Sequence, residues 1–276
     1  MTRIVCRQLQ PVIADLAANR ELTRRAVAEA VAVGGEIVVL PELATSGYVF
    51  DSREEAASVA ITTDDDLFSE WAAEAAPGSL IVGGFCELGD DGLLYNSAAV
   101  VDAMGVVAVY RKTHLWDREK LIFAAGTAEP PVLETAFGRL GVLICYDLEF
   151  PELTRALALR GADLIVVPTN WPLVSRPPGE RPPEVIIAMA AARTNRVFIA
   201  CCDRTGTERG QEWTGGSAVI DECGWVLSSV AGEGIAHADV DLSLARAKAL
   251  SPLSDVFGDR RPELYTAVGV ALSVVG

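Results

Sequence analysis

Histidine is almost missing from this chain. Its 276 residues hold only His114 and His237, and no carboxylates gather around either at ligand spacing. A metal site is therefore not expected. Basic residues are also scarce: 23 Lys and Arg stand against 38 Asp and Glu, a formal net charge of −15. Binding a nucleic-acid backbone needs clustered cations, so nucleic acid is not an expected partner. No apolar run approaches the ~18 residues of a membrane span. The first ten residues lack the apolar core of a secretory signal. The six cysteines (Cys6, Cys86, Cys145, Cys201, Cys202, Cys223) contain no C-x-x-C pair and read as reduced thiols of a cytoplasmic protein. G-x-x-x-x-G-K-[ST], G-x-G-x-x-G after a strand, and G-x-S-x-G are all absent, so no nucleotide cofactor and no serine elbow are expected. Gly215-Gly216-Ser217 reads as a turn entering a strand.

What is present is a core-forming chain, 50% hydrophobic and 22% charged. Residues 2–9 read as a strand. A helix follows from Asp15, its cap, to Val33, with Gly34-Gly35 ending it. Glu36 to Glu42 contains an apolar strand stopped by Pro41, the pattern of a parallel strand covered on both faces. The same plan returns mid-chain. Arg139 to Cys145 is a strand, Pro151 to Arg160 a helix ended by Gly161, and Asp163 to Pro168 an apolar strand. Pro41 and Pro168 stand 127 residues apart. A β-α-β unit used twice predicts an α/β fold of two similar halves packed as one sandwich, a single domain over residues 1–276.

Between the halves, residues 67–76 read as a helix, 79–87 as a strand, and 95–101 with 106–111 as a hairpin. Residues 113–131 form a long loop, of the kind that is usually functional or disordered. A proline-rich rim loop spans 171–183, a helix 184–194, and strands 197–202 and 217–220, with 221–224 as a turn into the next strand. The last residues, from 261 and above all from Tyr265, make an apolar tail that needs cover from its own domain or from a second subunit.

In β-α-β units the functional groups lie beyond the C-terminal ends of the strands. Glu42, Lys112, Cys145 and Asn170 all fall at such places. A thiol between a strand tip and a helix start is placed for nucleophilic chemistry; the alternative is a plain core cysteine. Leu-Pro-Glu42-x-x-x-x-Gly47-Tyr48, Arg-Lys112-Thr-His-Leu-Trp and Cys145-Tyr-Asp-Leu-Glu-Phe-Pro-Glu152 resemble, in order and spacing, the three signature blocks of the nitrilase, or carbon–nitrogen hydrolase, superfamily. The resemblance runs from about residue 3 to residue 240. It implies a four-layer α-β-β-α sandwich that pairs through its helices into a homodimer or higher homo-oligomer. It implies Glu42 as general base, Lys112 as oxyanion stabiliser and Cys145 as nucleophile. Glu119 is offered as the second glutamate of the family, with Asp117 as the fallback.

The chemistry is consistent with those roles. A free thiol has a pKa of ~8.5, so little thiolate exists at neutral pH. A nearby ammonium and a carboxylate base answer that need. Tyr48, Trp116, Tyr146, Asn170 and Trp171 adjoin the catalytic positions and are the expected pocket wall; core packing is the alternative for the two tryptophans. A small, largely apolar pocket suits short aliphatic or simple aromatic primary amides. Relatives acting on ω-amides of dicarboxylic acids often have Arg where this chain has Glu149, although Arg176, Arg181 or Arg193 would be available for a carboxylate. Hydrolysis of N-carbamoyl amines or amino acids is the main rival. An ω-amidase, a nitrilase and a non-catalytic binding module are the others.

Overall fold

Ile4 and Cys6 of strand β1 (Thr2–Gln8) face one buried layer of side chains, while Val5 between them faces another. β2 (Ile37–Val39) repeats this, with Ile37 and Val39 on one side and Val38 on the other. Two buried faces explain why these runs are apolar throughout instead of alternating. Between them α1 (Leu16–Ala32) covers the outer face with Ala26, Val27 and Ala30. Asp15 caps it by accepting the Ala18 N–H at 3.0 Å. The computed structural model describes residues 1–265.

β1, β2 and β3 (Leu80–Leu88) run parallel. The connection to β3 carries α2 (Arg53–Ala57) and α3 (Asp66–Glu74); the latter buries Leu67, Phe68 and Trp71 on the sheet. β4 (Leu94–Asp102) and β5 (Gly105–Arg111) follow as antiparallel neighbours. After the single turn of α4 (Glu119–Ile122), the hairpin β6 (Val132–Thr135) and β7 (Gly138–Val142) opens the second sheet. α5 (Pro151–Leu159), β8 (Leu164–Pro168), α6 (Pro183–Asn195) and β9 (Phe198–Cys202) continue it in parallel. A short ribbon of β10 (Thr207–Glu208) and β11 (Gln211–Glu212) precedes antiparallel β12 (Ala218–Ile220) and β13 (Val226–Ser229). β14 (Gly234–Val240) then returns to pair with β1.

The six-stranded sheets are ordered β14-β1-β2-β3-β4-β5 and β6-β7-β8-β9-β12-β13. Both read antiparallel, parallel, parallel, antiparallel, antiparallel, so the two halves share one plan. Ile4, Cys6, Val82 and Val100 of the first sheet pack directly on the second, whose far face is covered by Leu157, Ala188 and Ala192 of α5 and α6. The layers are therefore α-β-β-α, as the resemblance implies.

The structure corrects several expectations. The β7 ladder ends at Val142, and Cys145 begins a 3-10 turn over Cys145–Glu149 instead of closing the strand. The long loop after Lys112 is interrupted by α4, and β6 follows directly at its end. β6 and β14 were not anticipated; both are edge strands with partly exposed residues, so neither shows an apolar run. Residues 266–276 of the expected apolar tail lie outside the described residues, and 261–265 are exposed. Among the described residues no helix is long and apolar enough to cross a membrane.

Gly84 sets how closely β3 approaches the turn after β2. Its N–H donates to Pro41 O at 3.0 Å and its carbonyl accepts from Ala44 N at 2.9 Å. A Cβ there would stand 2.4 Å from Leu43 N and 2.5 Å from Glu42 Cα. Gly84→Ala is therefore expected to lower stability by about 1–3 kcal/mol, seen as a lower urea midpoint. An unchanged midpoint would mean that this turn is not pinned by β3.

Candidate active site

Pro41 ends the β2 ladder, because proline has no N–H to donate. Glu42 follows, fully buried, and Leu43 adopts φ +46° to turn the chain back. The Glu42 N–H donates across the sandwich to Thr169 O at 3.4 Å, and Asn170 Nδ2 donates to Glu42 O at 2.9 Å. Equivalent strand ends, after β2 and after β8, thus hold each other face to face.

Lys112 leaves β5 with its N–H donating to Asn96 O at 2.8 Å, and its side chain is fully buried. Its Nζ lies 2.6 Å from Glu42 Oε1 and 2.7 Å from Glu119 Oε1. Asn96 Nδ2 adds a 2.6 Å bond to Glu42 Oε1. Glu119 also accepts the Tyr48 hydroxyl at 2.6 Å on Oε1 and the Trp116 N–H at 3.0 Å on Oε2. The last bond, with Glu119 N–H donating to Trp116 O at 2.9 Å, closes a one-turn box that fixes the side chain inward. Asp117, the fallback, is exposed and takes φ +40°.

Cys145 sits at φ +46°, a conformation that L-residues seldom adopt and that marks a held turn. Asp147 holds it. Buried Oδ2 accepts from Tyr110 Oη at 2.8 Å and Ile144 N at 3.2 Å, while Oδ1 accepts from Thr113 Oγ1 and His114 N, both at 3.0 Å. One carboxylate thus ties the cysteine turn to the segment after Lys112. The Cys145 thiol points at Asn170 O, 3.9 Å away. Among the described residues the Tyr146 N–H donates to no protein acceptor.

The carbon-nitrogen hydrolase family model matches residues 3–249. The chain belongs to that family. It is a hydrolase acting on carbon–nitrogen bonds other than peptide bonds. A protein named nitrilase from Pyrococcus abyssi is 36% identical over 96% of this chain and 99% of its own. An amidase of the nitrilase superfamily from Nesterenkonia has a TM-score of 0.81 at 30% identity, covering 97% of both chains. A complex of that enzyme with butyramide has a TM-score of 0.76 at 29% identity, covering 96% of each.

Within this hydrolase the structure brings Glu42, Lys112, Glu119, Tyr48 and Asn170 into one hydrogen-bonded cluster beside Cys145. The Trp116 and Tyr146 rings meet edge-on at 4.9 Å, and Tyr146 meets Phe150 at 5.0 Å. Trp116 is 42% exposed and stands at the rim. The Trp171 ring is buried with the inter-sheet core, against Gly216. Arg176, Arg181 and Arg193 are exposed and none bonds to the cluster among the described residues. Sequence reading passed over Asn96 and Trp213, whose ring meets Tyr48 edge-on at 5.3 Å, and did not give Asp147 its part. An Asn inside the apolar Tyr95–Val101 run was the available signal, since a buried amide needs partners. Among the described residues Asp221, Glu222 and Cys223 are drawn together as metal-ligand types. Asp221 already caps that turn through the Cys223 and Trp225 N–H groups, and Arg196 pairs with Glu222.

Burial dominates the electrostatics. It lifts the Glu42 carboxyl, Lys112 opposes it, Glu119 adds to it, and the pKa is pushed up to about 7. Burial also carries the Cys145 thiol well above its ordinary value, helped by Glu42 and only partly offset by Lys112. For Lys112 burial favours the neutral amine, but Glu119 and Glu42 outweigh it and raise its pKa. The resting site is thus a neutral thiol beside an ammonium. Among the described residues Glu42 Oε2 is buried with no hydrogen-bond partner, a free lone pair for an incoming proton. A base works only when deprotonated, so Cys145 modification by a small methanethiosulfonate should accelerate as pH rises through about 7. Glu42→Gln should remove that inflection, read by mass spectrometry of the Cys145 peptide. An inflection that survives the substitution would assign it to another group.

Proposed function

We propose that this hydrolase is an amidase that converts small primary amides to carboxylic acid and ammonia through a thioester on Cys145. The observation that carries the reading is the free Oε2 of Glu42 in a sealed Glu42–Lys112–Glu119 cluster beside the thiol. Cys145 Sγ attacks the amide carbon while Glu42 takes the thiol proton. Negative charge forms on the carbonyl oxygen, where the Lys112 ammonium and the Tyr146 N–H stabilise it. The carbon–nitrogen bond breaks and ammonia leaves with the proton from Glu42. Water then attacks the thioester, giving its proton to Glu42, and the acid leaves as the thiol is re-formed. Glu119 acts by holding Lys112 charged and in place.

Tyr48, Trp116, Tyr146, Asn170 and Trp171 form the proposed wall. Its aromatic character, and the butyramide complex of the Nesterenkonia amidase, support short aliphatic or simple aromatic amides. Glu149 stands where relatives acting on ω-amides of dicarboxylic acids often have Arg, which argues against a carboxylate-bearing acyl group. N-carbamoyl compounds fit the same chemistry, with carbon dioxide as an added product, and remain the second reading. Free thiols at all six cysteines support a reducing, cytoplasmic setting. A cavity of about 1140 Å³ lined by Leu148, Pro151, Leu159, Ile187 and Leu250 on the α5–α6 face supports self-association into a dimer.

The test is ammonia release from a panel of amides, nitriles and carbamoyl compounds. Short amides should turn over, and Cys145→Ala should lose at least about 1000-fold in kcat. Turnover of carbamoyl compounds alone would replace the amidase reading with the second one, and an active Cys145→Ala would end both.

A further inference from the structure

Tyr48 gives its hydroxyl to the same Glu119 oxygen that holds Lys112, so its placement matters to the cluster. Its backbone is fixed from a distant part of the chain. Glu208, 160 residues later, takes the Tyr48 N–H at 2.8 Å and the Val49 N–H at 2.6 Å on one oxygen, Oε1. Its other oxygen takes Arg204 Nη1 at 2.7 Å, and Arg204 Nη2 donates to Pro11 O at 2.9 Å. Arg204 and Glu208 are 1% and 4% exposed. The Arg204 guanidinium also lies 4.8 Å over the Trp213 ring, which meets Tyr48 edge-on. Tyr48 is thus gripped at its backbone by Glu208 and at its ring by Trp213.

The turn has no slack to lose this grip quietly. Gly47 takes φ +78°, and a Cβ there would stand 2.6 Å from Ile13 Cα and 2.9 Å from Glu208 Oε2. Burial keeps the Tyr48 phenol protonated, so it serves only as a donor toward Glu119.

We propose that Glu208, oriented by Arg204, is a positioning residue that sets the Tyr48 hydroxyl on Glu119 and so keeps the Lys112 ammonium in register with Glu42. The proposal rests on the amidase reading above. A Gln at 208 keeps the size but turns an amide N–H₂ toward either the guanidinium or the backbone N–H groups, so one side of the grip fails. Tyr48 then drifts, Glu119 loses a donor, Lys112 moves out of register with Glu42, and the acid limb set by the Glu42 carboxyl, no longer held down by the ammonium, rises.

The experiment is a double-mutant cycle on kcat with Glu208→Gln, Tyr48→Phe and the pair, each with a pH profile. Misplacement near the reacting groups is expected to cost each single variant about 100-fold in kcat with little change in KM. The pair should be no worse than Tyr48→Phe alone, and all three should move the acid limb to higher pH. Losses that multiply in the pair, or a limb left in place by Glu208→Gln, overturn the proposal. If Glu208→Gln does not fold, Arg204→Lys takes its place in the same cycle under the same criteria. The pH profile of Cys145 modification needs no substrate. It therefore tests the Glu208–Tyr48 link even if no amide turns over, a result that would sink the amidase reading alone.

Discussion

A fully buried lysine ammonium is held charged by two carboxylates, and the rest of the molecule is arranged around that constraint. Removing Lys112, Glu42 and Glu119 from solvent costs far more than any one hydrogen bond returns. Each therefore needs several partners at close range. Asn96 and Tyr48 supply donors to the carboxylates, and Lys112 bridges both. Of the carboxylate oxygens of Glu42 and Glu119, Glu42 Oε2 alone has no partner among the described residues, and it is the atom the proposed chemistry uses. Leaving it open while the other carboxylate oxygens are bonded gives the proposed base one place to take a proton.

The repeated half explains how such distant residues meet. Both sheets put parallel strands at their centre, and both end those strands toward the same edge of the sandwich. Glu42 and Asn170 occupy equivalent places in the two halves and bond to each other through the backbone. Cys145 comes from the neighbouring strand of the second half. Asp147 then locks the cysteine turn to the segment after Lys112, so Cys145 and the ammonium are mechanically joined. Rigidity here has a chemical use. A thiol whose pKa is raised by burial stays neutral at rest, and in the proposed chemistry its proton moves to Glu42 as attack begins. That transfer works only when the two groups are held in place beforehand.

Much of this was legible in the chain. Apolar runs stopped by proline marked β2 and β8, and the glycine endings marked α1 and α5. Glu42, Lys112 and Cys145 could be named because they stand at apolar strand ends in motifs whose order resembles a known family's, and Glu119 because that resemblance implies a second glutamate after the lysine. Asn96 and Glu208 were not singled out. The first sits inside a strand whose composition looks like ordinary core. The second lies in a short ribbon with no periodic signal, and the Tyr48 backbone it holds is 160 residues away. Trp171 could be placed beside the site but not oriented, because sequence adjacency does not say which way an indole turns.

Sequence alone determined the alternation of strands and helices, the doubling of the β-α-β unit, and the types of group available for the chemistry. These follow from local rules of burial and backbone, which neighbours along the chain express. Tertiary structure decided which oxygen of Glu42 is free, that Glu119 and not Asp117 faces Lys112, and that Asp147 clamps the cysteine turn. Those outcomes depend on desolvation and on donors brought from remote strands, and neither exists until the two sheets have closed on each other.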